Sequence, residues 1–357
     1  MNDEIYLDKF ISNEKYFDFN DVLILPITSQ LNSRSQVNLE KTIQFKKSTW
    51  TGIPIIAANM TTTGTFEVYN ILSKFKIITA FHKFYTLQDF QNYQTSNLNL
   101  NPDFFMVSTG ISDKDYENLC NIVDNIECRF ICIDIANGYI ENLKIFCLKL
   151  REKYPDHILI AGNVCTYDGV CDLINCGIDI IKCGIGGGSA CTTRIQTGVG
   201  MPQLSCILEC SNAAYNNNSY IIGDGGITCP GDLAKAFGAG ADFVMLGGVF
   251  AGHDENPGQL IVEDGQKFKF FYGMSSSYAM KNNYASNNNK NYRSSEGREI
   301  KIKYKGALKD TVENYLGGLR STSTYLNSAN LEDLYYNCRF ILVNNQFSTL
   351  HHICIQS

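Results

Sequence analysis

Residues 177–194 read GIDIIKCGIGGGSACTTR: an apolar run, 178–183, that stops abruptly at a glycine-rich polar loop. The same plan recurs along the chain, with further runs at 53–58, 77–81, 104–107, 130–135, 158–161, 220–223 and 243–246. From Gly52 onward these runs, rich in Ile, Val and Phe, alternate with longer stretches of helical pattern, the mark of repeated βα units. Nearly all lack the polar alternation of a one-sided sheet. They therefore predict parallel strands covered by helices, closing most naturally as a (β/α)8 barrel, with a doubly wound open sheet as the alternative.

The residues just after each run favour the barrel, because barrel enzymes build their sites from loops at the C-terminal ends of the strands. Those ends carry Asn59-Met60-Thr61, His82-Lys83, Ser108-Thr109-Gly110, Asn137-Gly138, Gly162-Asn163, the stretch 184–194, Asp224-Gly225-Gly226 and Gly247-Gly248. A single glycine ends a strand in any fold, but eight polar or glycine-rich ends on one rim predict a site. Beyond the eighth run, a long insertion spans 252–310 before a helical segment at 311–326. Its middle, KNNYASNNNKNYR (281–293), is Asn-rich and poor in aliphatic residues, which predicts a flexible rim loop over 281–291. The whole chain, 1–357, reads as one barrel domain.

With 44% hydrophobic and 18% charged residues, 357 residues are enough to bury a large core. A net charge of -6 excludes a broad nucleic-acid surface, which depends on clustered Lys and Arg. The N-terminal MNDEIYLDKF lacks the basic start and apolar run of a signal peptide, and no apolar stretch reaches membrane-spanning length, so the expected compartment is the cytoplasm. Most of the fourteen cysteines sit in apolar runs and read as buried free thiols, with no zinc motif.

Chemistry concentrates in 184–194. Glycines this dense let the backbone approach an anion through its N–H groups or surround a monovalent cation with its carbonyls. It is not a P-loop, since the Lys and Ser/Thr after the last Gly are missing. Cys191 stands in this loop near Arg194, where a thiol loses its proton more readily; the bland alternative is one packed thiol among many. The turns at Asp224-Gly225-Gly226 and Gly247-Gly248 come after the seventh and eighth strands, where barrels often bind phosphate. A phosphorylated ligand is implied. Asp224 suits ribose hydroxyls, or else caps the following helix.

Several stretches closely resemble the GMP reductase family: residues 18–23 (DFNDVL), 55–60 (IIAANM), 134–139 (DIANGY), 184–194, TGVGMPQLS (197–205), residues 224–248, FYGMSS (271–276), YRSSEG (292–297) and GGLRSTSTY (317–325). They run in unbroken order from about Tyr16 to Tyr325. The resemblance implies NADPH-dependent reductive deamination of GMP to IMP, with Cys191 as the nucleophile on purine C2 and Thr193 and Glu296 as the proton-handling pair. It implies nucleotide contacts at Asp224, Gly225, Gly226, Gly247, Gly248, Gly273, Met274, Ser275, Arg293, Ser294, Ser295, Glu296 and Gly297. Cofactor contacts are implied at Ser33, Arg34, Lys83, Asp134, Ile135, Ala136, Ile185, Gly186, Met274, Tyr292, Arg293, Ser321, Thr322, Ser323 and Thr324, some reaching a neighbouring subunit of a homotetramer. Basic Arg34 and Lys83 suit the 2′-phosphate that distinguishes NADPH from NADH. A potassium site is implied at the carbonyls of Gly186, Gly188, Cys191 and Arg194.

The chain departs from the family pattern at Thr61, where Asp is usual, at Phe84, which replaces the second His of a His-Lys-His run, and at Gly187, which replaces Pro. The related IMP dehydrogenases share the barrel and the cysteine loop but usually carry a regulatory insertion, absent here. Oxidation of IMP to XMP is therefore one alternative, and a catalytically idle purine-nucleotide-binding barrel is another.

Overall fold

The computed structural model describes residues 14–96, 99–272 and 299–343. Eight strands, β1 (Ile55–Ala57), β2 (Ile78–Phe81), β3 (Phe105–Thr109), β4 (Phe130–Asp134), β5 (Ile158–Val164), β6 (Ile180–Cys183), β7 (Tyr220–Asp224) and β8 (Phe243–Leu246), pair in parallel in chain order. β8 returns to β1, Val244 opposite Ile55 and Leu246 opposite Ala57, so the sheet closes and the open-sheet alternative falls. The helices after the strands are α1 (Phe66–Leu72), α2 (Leu87–Thr95), α3 (Asp113–Val123), α4 (Glu141–Lys153), α5 (Tyr167–Asn175), α6 (Gln203–Asn216), α7 (Pro230–Gly238) and α8 (Leu308–Tyr325).

Two cores explain why the runs lack alternation. Ile56, Ile78, Met106, Cys132, Ile160, Ile180 and Ile222 fill the barrel interior. Their neighbours Ile55, Ala57, Val107, Ile131, Ile181 and Ile221 pack outward against the helices. A strand buried on both faces shows no period of two. Helix starts obey local signals: Thr65, Ser112 and Thr166 accept hydrogen bonds from the backbone N–H groups of Val68, Asp115 and Gly169, and Pro230 opens α7.

A hairpin, Lys41–Gln44 against Thr49–Gly52, closes the N-terminal end of the barrel. Trp50 is fully buried there, stands 5.2 Å from the Phe243 ring, and donates its indole N–H to the Asp103 carbonyl at 2.8 Å. Trp50→Ala removes this plug, and we expect it to cost about 3–5 kcal/mol of stability in urea unfolding. A loss below about 1 kcal/mol would mean that the hairpin does not seal the core.

The insertion after β8 carries a sheet where no element was predicted from the sequence. Ile261–Glu263, Gln266–Tyr272 and Glu299–Lys303 form an antiparallel sheet. Its first turn, Asp264-Gly265, has φ of 50° and 76°, the conformation that Asp-Gly favours in two-residue hairpins. Strand 22–24 pairs with 340–342. The helix expected at 311–326 begins three residues earlier, at Leu308. The expected flexible loop at 281–291 lies outside the described residues. The described cysteines are free, most of them buried, and no helix is long and apolar enough to cross a membrane.

Candidate active site

Inward positions recur every second residue along each strand. Below the rim they are apolar: Cys132, Ile180 and Ile222. The next inward positions are Asp134, Lys182 and Asp224, and at that level the packed interior gives way to a cavity of about 260 Å³. The cavity is lined by Asp134, Ile135 and Ala136 at the end of β4, by Asn163, and by the whole stretch 184–191 with Thr193. Asp224, Gly225, Gly226, Gly247 and Gly248 also line it, as do Asn59 and Met60 after β1. Thirteen of the residues singled out in the sequence thus meet at one place: Asp134, Ile135, Ala136, Ile185, Gly186, Gly188, Cys191, Thr193, Asp224, Gly225, Gly226, Gly247 and Gly248.

The cysteine loop is built to present one sulfur. Cys191 N–H donates to the Gly188 carbonyl at 3.0 Å, a tight turn that leaves Cys191 at the cavity wall. Thr193 Oγ1 lies 3.2 Å from Cys191 Sγ, and the Thr193 N–H points to the same sulfur at 3.5 Å. Gly184 has a φ of +142°, and a Cβ there would stand 2.7 Å from Gln203 Oε1. Glycine therefore lets Gln203 reach in and donate to the Cys183 carbonyl at 3.0 Å. Gly187, where the family pattern has Pro, is tied down through its carbonyl, which accepts the Gly226 N–H at 2.9 Å and joins the loops after β6 and β7.

The Arg194 guanidinium pairs with Asp18 Oδ2 at 3.2 Å and donates to the Met201 carbonyl, which ties the loop to the N-terminal segment. Asp18 in turn accepts the Gln203 N–H at 2.5 Å. The N-terminal motif 18–23 thereby braces the cysteine loop, a role that no local signal at Asp18 revealed.

The cavity floor is charged. Lys182 is 2% exposed, forms an ion pair with Asp134, and stands 3.6 Å from Asp224 Oδ2. Asn163 Nδ2 donates to Asp224 Oδ2 at 2.9 Å and to the Gly184 carbonyl at 2.8 Å. Burial pushes the Asp134 carboxyl up, but the Lys182 charge outweighs it and holds the group below the usual carboxylate range. Burial likewise pulls the Lys182 ammonium down, and the two aspartates reverse that, leaving it above the usual lysine range. Lys182 had read as one residue of an apolar strand; the signal lay in its inward register.

Lys83 lies off the cavity wall, 3.6 Å from Asp115 Oδ1. Ser33, Arg34 and Ser321, Thr322, Ser323 and Thr324 also lie off it. The segment bearing Ser33 and Arg34 runs beside the end of α8, with the Asn38 N–H bonded to the Ala329 carbonyl at 2.8 Å and the Ile27 N–H to the Tyr325 carbonyl at 3.0 Å. Ser323 is buried and donates to the Leu319 carbonyl. Gly273, Met274, Ser275, Tyr292, Arg293, Ser294, Ser295, Glu296 and Gly297 lie outside the described residues. Among those described, no cluster of three or more His, Cys, Asp or Glu side chains could hold a metal ion.

The sequence profile of the IMP dehydrogenase / GMP reductase domain matches residues 16–350. The chain is 48% identical over 346 residues to human GMP reductase 2, covering 95% of this chain and 98% of the relative. It is 46% identical over 347 residues to GMP reductase of Caenorhabditis elegans, covering 96% of each, and 47% identical over 344 residues to that of Vibrio cholerae, covering 96% and 99%. A closed (β/α)8 barrel with a cysteine loop after its sixth strand, matched over nearly its whole length, belongs to the IMP dehydrogenase / GMP reductase family.

Proposed function

We propose that the chain is an NADPH-dependent GMP reductase, converting GMP to IMP and ammonia. The observation that carries this is the pairing of Cys191 Sγ with Thr193 Oγ1 at 3.2 Å on the wall of a cavity edged by the glycine turns after β7 and β8, in a chain whose relatives are named GMP reductases. In this reading the phosphate sits on the turns at Gly225-Gly226 and Gly247-Gly248, and Gly273, Met274, Ser275 and the residues 293–297 supply further nucleotide contacts. Asp224 accepts from the ribose hydroxyls. The Cys191 thiolate adds to purine C2, and the 2-amino nitrogen, protonated through Thr193 from Glu296, leaves as ammonia. A thioimidate remains, joined through the Cys191 sulfur. NADPH, when bound, would supply a hydride for C2, and Cys191 would depart as thiolate to leave IMP.

The walls fit such a cofactor. Ile135, Ala136 and Ile185 give apolar surface to the cavity that Cys191 lines, and Lys83 follows the end of β2. Ser33, Arg34, Ser321, Thr322 and Thr324 lie at the end of α8, away from this cavity, which favours a homotetramer in which they serve a neighbour's cofactor, whereas Ser323 is buried in the helix packing and does not face such a partner. A potassium ion on Gly186, Gly188, Cys191 and Arg194 would rely on carbonyls alone. The Gly188 and Arg194 carbonyls each accept one backbone N–H, leaving a second lone pair for an ion. We place the enzyme in the cytoplasm.

Reaction direction is the test. The enzyme should consume NADPH in the presence of GMP and release ammonia, and should form little NADH from IMP and NAD, both followed by absorbance. Rapid XMP formation without GMP-dependent NADPH loss would assign a dehydrogenase; nucleotide binding with neither reaction would assign an idle barrel.

A further inference from the structure

Lys182 owes its place to strand register. Asp134 of β4 and Lys182 of β6 both pair with Gly162 of the intervening β5. Because Gly162 has no side chain, the carboxylate and the ammonium meet across it, and a Cβ there would stand 2.6 Å from Lys182 Cβ. From the other side β7 brings Asp224, whose Oδ2 is 3.6 Å from Lys182 Nζ and is also held by Asn163. One buried cation thus lies between two carboxylates that face the same cavity, one on the proposed cofactor side and one on the proposed ribose side.

We propose that Lys182 is a positioning residue that couples the two halves of the active site, holding Asp134 toward the cofactor and Asp224 toward the nucleotide ribose. The inference rests on the reductase reading above. Without Lys182 two carboxylates would share one wall with no cation between them, and like charges so placed disfavour joint ionisation. The other groups facing this point do not substitute for it. Cys132 lies beneath, its thiol pushed up to about 12 by burial; the Asn59 side chain is hydrogen-bonded to Asp134 but carries no charge, and Lys83 acts on Asp134 from farther off while lying 3.6 Å from Asp115 Oδ1. Burial alone raises the Asp134 carboxyl, so loss of Lys182 lets Asp134 take up a proton as the pH falls. The resulting defect deepens on the acid side.

Lys182→Gln tests this in steady-state kinetics between about pH 6 and about pH 8.5. The KM for GMP and the KM for NADPH should each rise about tenfold or more, and kcat/KM should acquire an acid limb that the wild type lacks. A merely structural role would lower activity equally at every pH. As a safeguard for folding, Lys182→Gln combined with Asp134→Asn removes one charge of each sign; it should melt close to wild type, recover the KM for GMP, keep the raised KM for NADPH, and lose the acid limb. If a folded single variant leaves either KM within about twofold of wild type, or shows the same loss at all pH, Lys182 does not couple the subsites. If the single variant does not fold, a double variant with both KM values as in wild type overturns the proposal equally. A wild-type enzyme inert toward GMP and NADPH overturns the reductase reading and this inference together, an outcome distinct from a Lys182 failure in an active enzyme.

Discussion

Cys191→Ala is expected to lower GMP-dependent NADPH consumption by about 10⁴-fold or more while leaving nucleotide binding measurable. The sulfur is the proposed bond-forming atom, and no other cysteine lines the cavity among the described residues. Cys132 lies nearby, but burial holds its thiol far from ionisation and its side chain belongs to the packed interior. Alanine removes the sulfur without disturbing the Cys191 N–H bond to Gly188, so the turns that hold the phosphate should persist. Calorimetry with GMP reads the binding, and mass spectrometry of the wild type with GMP reads the adduct. Turnover within about tenfold of wild type would exclude the covalent route.

Thr193→Val and Glu296→Gln are each expected to slow release of ammonia by about 10²- to 10⁴-fold, with GMP affinity changed much less, because general acid–base groups typically contribute that range. Valine keeps the shape of threonine and removes the hydroxyl that stands 3.2 Å from the sulfur. If hydroxyl and carboxyl form one proton path, the two losses should not multiply; the double variant should be about as slow as the slower single one. Single-turnover measurement of ammonia separates this step from hydride transfer. A change confined to KM would make the pair binding residues, and fully multiplicative losses would make them independent.

The barrel was legible because its signal is repeated. Each of eight runs is ambiguous by itself, but eight of them ending in polar or glycine-rich rims leave few folds open. Strand positions came within a few residues throughout, and β8 matched at both ends. The errors fell where pattern is short. The antiparallel sheet after β8 was obscured by the Asn-rich stretch beside it, although Asp264-Gly265 between two short apolar-bearing runs carried a hairpin signal. Trp50, the only tryptophan, gave no hint in its own neighbourhood that it plugs the barrel.

The site divides along the same line. Cys191, Thr193 and the glycine turns are close in sequence or tied to strand ends, so their chemistry could be read from order and spacing. The ion pairs of Lys182 with Asp134 and Asp224, and of Arg194 with Asp18, join residues 48, 42 and 176 positions apart. Such pairings depend on barrel closure, strand register and the side-chain gap at Gly162, none of which is a property of a local stretch. Local pattern names residues able to do chemistry, because propensity and spacing act over a few positions. Which charge faces which is settled by burial: a cation enclosed between β4, β5 and β7 must find its partners across the barrel, and only the closed sheet brings them there.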